Sequence, residues 1–157
     1  MHAIDVLKYG NLTLLKALDG IPGDQWETEG VCGWWSVKNI IAHLASFEHI
    51  LDEVLATFQG GGPTPYMQAW AKGNFNDVQV AERQDVSWKE TLEEYEQMHA
   101  RNMQRAAQIP LETWRETGAI PWYGEEYDLE DFIAYQYYGH KREHSAQINI
   151  FKDRFKV

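Results

Sequence analysis

The sequence predicts an all-α protein, a four-helix bundle with a long crossover connection between its second and third helices. Three observations carry this expectation. Four long segments repeat apolar residues at helical spacing, no segment alternates apolar and polar residues as a half-buried strand would, and one connection is far longer than the others. At 157 residues the chain is the size of one domain, residues 1–157, with no repeat or linker to divide it.

The first helix is expected over Ala3 to Leu18, with Ile4, Leu7, Leu14, Leu15 and Leu18 along one side and Gly20 and Pro22 as the stop. Gly10 interrupts it at a cost of about 1 kcal/mol relative to Ala. The second begins at Ser36, a strong N-cap, and continues to about Phe58 through Ile40, Leu44, Phe47, Leu51 and Val54. Gly60-Gly61-Gly62-Pro63 ends it, and Thr64 to Val86 reads as mixed, with a short helix around Asp77 to Glu82. Ser87-Trp88-Lys89-Glu90 is a capping box for a third helix that runs to about Gln108 and is closed by Pro110. Pro121-Trp122-Tyr123 suggests a short turn. Asp128 then caps a fourth helix reaching about Arg154.

Histidines mark the candidate site. His140 and His144 are four residues apart, so on one helix they share a face with Cα atoms about 6 Å from each other. Taking Ile133 as reference, ideal pitch puts Tyr137 about +40°, His140 about −20°, His144 about +20° and Phe151 about 0° around the helix. Both imidazoles thus fall in an apolar stripe, where each must find a polar partner or destabilise the fold. A shared divalent metal satisfies both, and His43 in the second helix is the candidate third ligand. The bland alternative, histidines hydrogen-bonded in the core, stays open at this point. His49 lies about 120° from His43 at ideal pitch and faces elsewhere. Glu96-x-x-His99 resembles half of a di-iron carboxylate signature, but no second Glu-x-x-His exists in the chain. Neither a His-Glu-x-x-His zinc-protease pattern nor a phosphate-binding glycine loop is present.

Bulk composition narrows the rest. Acidic residues outnumber basic ones 24 to 14, giving a formal charge of −10, which argues against nucleic acid and against an anionic membrane surface. No run approaches the roughly 20 apolar residues of a membrane span, and the N-terminus lacks the pattern of a signal peptide, so a cytoplasmic protein is expected. Cys32 is the single cysteine, which excludes an internal disulfide and multi-cysteine metal sites. It reads as a small buried hydrophobe.

Two segments, Trp35-Ser36-Val37-Lys38-Asn39-Ile40-Ile41-Ala42-His43-Leu44 and Tyr138-Gly139-His140-Lys141-Arg142-Glu143-His144-Ser145-Ala146-Gln147-Ile148, resemble the two signature helices of the DinB/YfiT-like metalloenzymes. The likeness spans nearly the whole chain and includes the Pro121-Trp122-Tyr123 turn. It implies a four-helix bundle with a crossover and one divalent metal, zinc or nickel, on His43, His140 and His144. It also implies frequent homodimers, and functions that range from hydrolases and low-molecular-weight-thiol transferases to proteins that protect against toxic compounds. Three neutral imidazoles leave coordination positions open, as in a catalytic site. The expected activity is therefore metal-dependent hydrolysis or thiol transfer on a small molecule. Tyr137 is the candidate substrate-contacting group, Asn39 a group supporting His43, and Trp35 and Trp122 candidate pocket walls. A non-catalytic protein that binds a metal or a toxic small molecule is the alternative.

Overall fold

The computed structural model describes residues 2–155, and those residues are all-α apart from one isolated bridge between Cys32 and Trp35. The chain divides into two compact units. One comprises residues 21–105, and the other joins the N-terminal segment through Gly20 to everything from Ala106 onward.

In the first of these units, α2 (Val37–Thr57) is the central element, with sixteen of its residues buried, so it is enclosed nearly all round, with Lys38, His43, Ser46, Glu48 and Glu53 as buried polar groups among apolar ones. Ser36 Oγ accepts from the Asn39 amide and Asn39 Oδ1 accepts from the Ser36 amide, a reciprocal cap that fixes where the helix starts. Lys38 ties the preceding loop and the end of the crossover to this helix, donating to Glu27 and to the Gln84 carbonyl. Trp26 stacks on Trp88 at 4.4 Å.

The crossover holds two short helices, α3 (Pro65–Trp70) and α4 (Phe75–Glu82). The sequence reading anticipated α4 but not α3, which at six residues is too short to show a period. Glu53 of α2 holds α3 in place: its two carboxylate oxygens accept from the Tyr66 and Met67 amides, each at 2.8 Å, at the helix start where amides lack intrahelical partners. Glu53→Ala is expected to cost about 1–2 kcal/mol, in the range of a lost helix cap. A urea titration followed by tryptophan fluorescence checks this, since Trp70 of α3 packs on Phe47. Arg83, at the C-terminal end of α4, reaches α5 (Trp88–Ala106) through both oxygens of Glu94 at 2.9 Å. Ser87 and Glu90 form the expected capping box at the start of α5.

In the other unit, α1 (Ala3–Leu18) keeps its expected limits, but its buried seam is Ala3, Leu7, Gly10, Leu14, Ala17 and Leu18, with Ile4 and Leu15 on the flanks. Gly10 is explained by close approach: a Cβ there would lie 2.9 Å from the Tyr137 carbonyl oxygen. Lys152 closes the far end of α1 by donating to the Lys16 and Asp19 carbonyls. A short helix, α6 (Leu111–Trp114), buries Trp114 completely and was not anticipated.

The last long helix departs from expectation in its winding. Asp128 and Asp131 form a capping box, and α7 (Leu129–Ile133) begins as expected. Residues Ala134–Gly139 then form a π-helical segment before α8 (His140–Lys152) resumes ordinary winding. A π turn takes up more residues per turn, so side chains after it rotate relative to those before it. The buried seam accordingly runs Ile133, Tyr137, Lys141, His144, Ser145, Ile148 and Phe151. Ideal α pitch would set Lys141 about 80° from Ile133. Here Lys141 is buried, and His140 sits half-buried at the rim of the seam instead of within it.

Candidate metal centre

Each imidazole owes its position to a local device. His43 lies near the start of α2, whose register is set by the Ser36–Asn39 cap, and it is 2% exposed. Its ring sits between Trp35, 5.0 Å away, and Phe47, 4.9 Å away. Phe47 in turn meets Trp70 of α3 and Phe75 of α4, so the crossover helices cover the aromatic wall around His43. Of these, Trp35 was anticipated as a pocket wall. Phe47 and Trp70 were not, because both read equally well as core.

His140 and His144 open the first turns of α8, and their Nε2 atoms are 3.1 Å apart. Two nitrogens bound to one metal at about 2.05 Å lie roughly 2.9–3.4 Å from each other for octahedral to tetrahedral angles. The pair therefore already has the separation of two ligands on one ion. His144 Nδ1 lies 2.8 Å from Gln147 Oε1, which can only accept, so Nδ1 carries the proton and Nε2 presents its lone pair toward His140. Gln147 was not assigned a role from the sequence. Its position three residues after His144, on the same helix face, was the available signal.

One ligand nitrogen from each of His43, His140 and His144 lies within 4.8 Å of the others. Three buried or half-buried imidazoles in this arrangement could hold a metal ion. Electrostatics agree with that donor set. Burial first, then the adjacent His144, pushes the His140 imidazole down to about 4, with the Gln136 backbone pulling the other way. Burial also lowers His144, opposed by Gln147 and Glu143. Both rings are neutral at pH 7, the form that binds a cation. The metal-free protein should lose stability as pH falls. An unfolded histidine takes up its proton near 6.5, whereas His140 stays neutral until about 4, so between these values the unfolded state holds more protons. Urea midpoints should fall from about pH 7 to about pH 5, and an unchanged or rising midpoint would oppose this assignment.

The remaining candidates fall in different surroundings. Tyr137 is buried within the π segment, edge-on to Phe132. Asn39 Oδ1 is engaged in the α2 cap. Trp122 is half exposed and lies edge-on to Phe132 and Tyr123. His49 stacks on Tyr66, away from His43, as the helical pitch requires. His99 is buried against Tyr95 while Glu96 is exposed, so the Glu-x-x-His pair does not converge. Cys32 is partly exposed in the turn before α2 rather than buried. Glu48 is fully buried and its carboxylate accepts from Asn102 Nδ2 at 2.7 Å.

A family model described as the DinB superfamily matches residues 12–148, a span that includes all three histidines, the whole of residues 21–105 and part of the other unit. The chain belongs to the DinB superfamily. A solved structure, that of the colibactin self-resistance protein ClbS in complex with a double-stranded DNA, is 13% identical with a TM-score of 0.73. The match covers 98% of this chain and 95% of that one, and shows that the two share a fold. No curated protein matches the chain. The complex overturns the exclusion of nucleic acid drawn from the net charge. Net charge describes a whole surface, whereas a duplex meets one patch of it, and a protein of this fold engages DNA. Among the described residues, no helix is long and apolar enough to cross a membrane.

Proposed function

We propose that His43, His140 and His144 bind one divalent cation, zinc or nickel, and that the chain is a metal-dependent enzyme acting on a small molecule by hydrolysis or by transfer of a low-molecular-weight thiol. The single observation that carries this reading is the approach of three imidazole nitrogens, one from each histidine, to within 4.8 Å of one another. A cation on such a face supplies Lewis acidity at its open positions, toward water or a thiol. The surrounding residues have separable tasks. Gln147 holds the His144 tautomer and ring plane. Trp35 and Phe47 keep water from the back of His43 and lower the local dielectric. Asn39 positions His43 one turn further on through the α2 cap. Tyr137, one turn before His140, is the group proposed to orient the substrate, with Trp122 as an outer wall.

Turnover assays with bacillithiol-like or mycothiol-like co-substrates and with ester or amide panels test the reading. Loading with zinc or nickel should support a rate that His144→Ala lowers by at least about a hundred-fold, as loss of a transition-state ligand requires. Equal rates in the two proteins would sink it, and metal binding without turnover would favour sequestration of a metal or toxic compound. A second reading, a duplex-DNA-binding protective protein, is favoured by the complex in which the similar structure was solved. Saturable anisotropy of a labelled short duplex at moderate salt, unaffected by His144→Ala, would favour it over the enzyme.

A further inference from the structure

We propose that the outer face of α1, together with the π segment and α8, forms a second ligand site that takes a small amphipathic anion, a carboxylate with an acyl or aryl body. A shallow groove of roughly 620 Å³, open to solvent along its length, lies there. Its lining is mostly apolar, with Val6, Tyr9, Leu12 and Tyr138, and includes two cations, Lys16 and Arg142. Tyr9 and Leu12 are 46% and 48% exposed, large apolar groups left in water on a helix that buries its other face well.

Charge decides the class of ligand. No residue lining the groove is acidic, although acidic residues outnumber basic ones 24 to 14 in the chain. Two cations in a mostly apolar lining, on a protein of charge −10, match a single negative head attached to an apolar body. Arg142 is held ready: its Nη1 donates to the Tyr138 hydroxyl at 3.3 Å and its guanidinium lies over the Tyr138 ring at 5.6 Å. That contact keeps the fork at the groove with donors left over for a carboxylate. Gly10 contributes by omission, since a side chain there would prevent the close approach of α1 to Tyr137 and Tyr138.

Decanoate is the probe, titrated into the full-length protein by calorimetry and by displacement of a fluorescent aryl sulfonate. One saturable site is expected. Arg142→Ala or Lys16→Ala should weaken decanoate roughly three- to five-fold, the scale of a solvent-exposed ion pair. Leu12→Asp should weaken it more than about ten-fold by opposing the head charge and removing apolar contact. Decanol should bind less tightly than decanoate. The variants sit on the surface, and unchanged circular dichroism together with unchanged zinc stoichiometry would show that they fold. Binding that ignores both cations, or decanol binding as tightly as decanoate, would overturn the proposal. So would sedimentation showing a dimer that Leu12→Asp converts to monomer while decanoate fails to bind, since a second copy would then occupy the face.

Discussion

Replacing His144 with alanine is expected to abolish the thermal stabilisation that zinc or nickel confers on the wild-type protein. A cation that binds only the folded chain, at about a thousand times its dissociation constant, adds about 4 kcal/mol. For a chain of this length each kcal/mol moves Tm by about 2–4 °C, so the wild type should gain about 8–16 °C. His144→Ala leaves a pair of imidazoles and should gain almost nothing under the same conditions. Gln147→Ala is the subtler variant: it keeps all three ligands and removes the acceptor that fixes the His144 ring. Its metal affinity should fall roughly ten- to hundred-fold, the usual cost of losing such a partner. Scanning calorimetry with and without metal checks both. Equal stabilisation of wild type and His144→Ala would mean that the cation binds elsewhere.

Gly10→Ala should be destabilising, against the general preference of helices for alanine. Helix propensity alone predicts a gain of about 1 kcal/mol. The added Cβ would sit 2.9 Å from the Tyr137 carbonyl oxygen, a backbone atom that cannot rotate away, so α1 or the π segment must shift. Overpacking of this kind costs about 1–3 kcal/mol, which outweighs the propensity gain. Because the contact falls on the segment immediately before His140, the variant should also bind metal more weakly. Denaturant unfolding and a metal titration report the two effects. A Gly10→Ala protein more stable than wild type would show that α1 tolerates the extra atom and that the π segment does not depend on it.

The two predictions draw on features of unequal legibility. The limits of α1, α2 and α5 could be read from caps and stops: Gly20 with Pro22, Ser36, the glycine run before Pro63, and Ser87 with Glu90. Such signals are local, and local chemistry survives tertiary context. The His140 and His144 pair was legible from its helical spacing, although the structure sets His140 at the rim of the buried seam, and His43 joined the pair through the resemblance of the two signature segments. The π segment was not legible. Its residues, Ala-Tyr-Gln-Tyr-Tyr-Gly, suit an α-helix as well, and the segment packs closely on α1 at Gly10, a tertiary contact that no local pattern reveals. That one change moved Lys141 inward and His140 to the rim. The short helices α3 and α6 lack a full period, and α3 depends on Glu53, which is twelve residues earlier in sequence than Pro65. The exclusion of nucleic acid did not stand, because it rested on composition, which averages over the surface, and a protein of the same fold has been solved in complex with duplex DNA.

Elemental analysis of protein purified without a metal-affinity tag, paired with X-ray absorption at the edge of whichever metal is found, asks the main question directly. The expected outcome is one zinc or nickel per chain with about three imidazole nitrogens in its inner sphere, and loss of that signal in His43→Ala as well as His144→Ala. A chain that carries no stoichiometric metal and takes none up on reconstitution would contradict it.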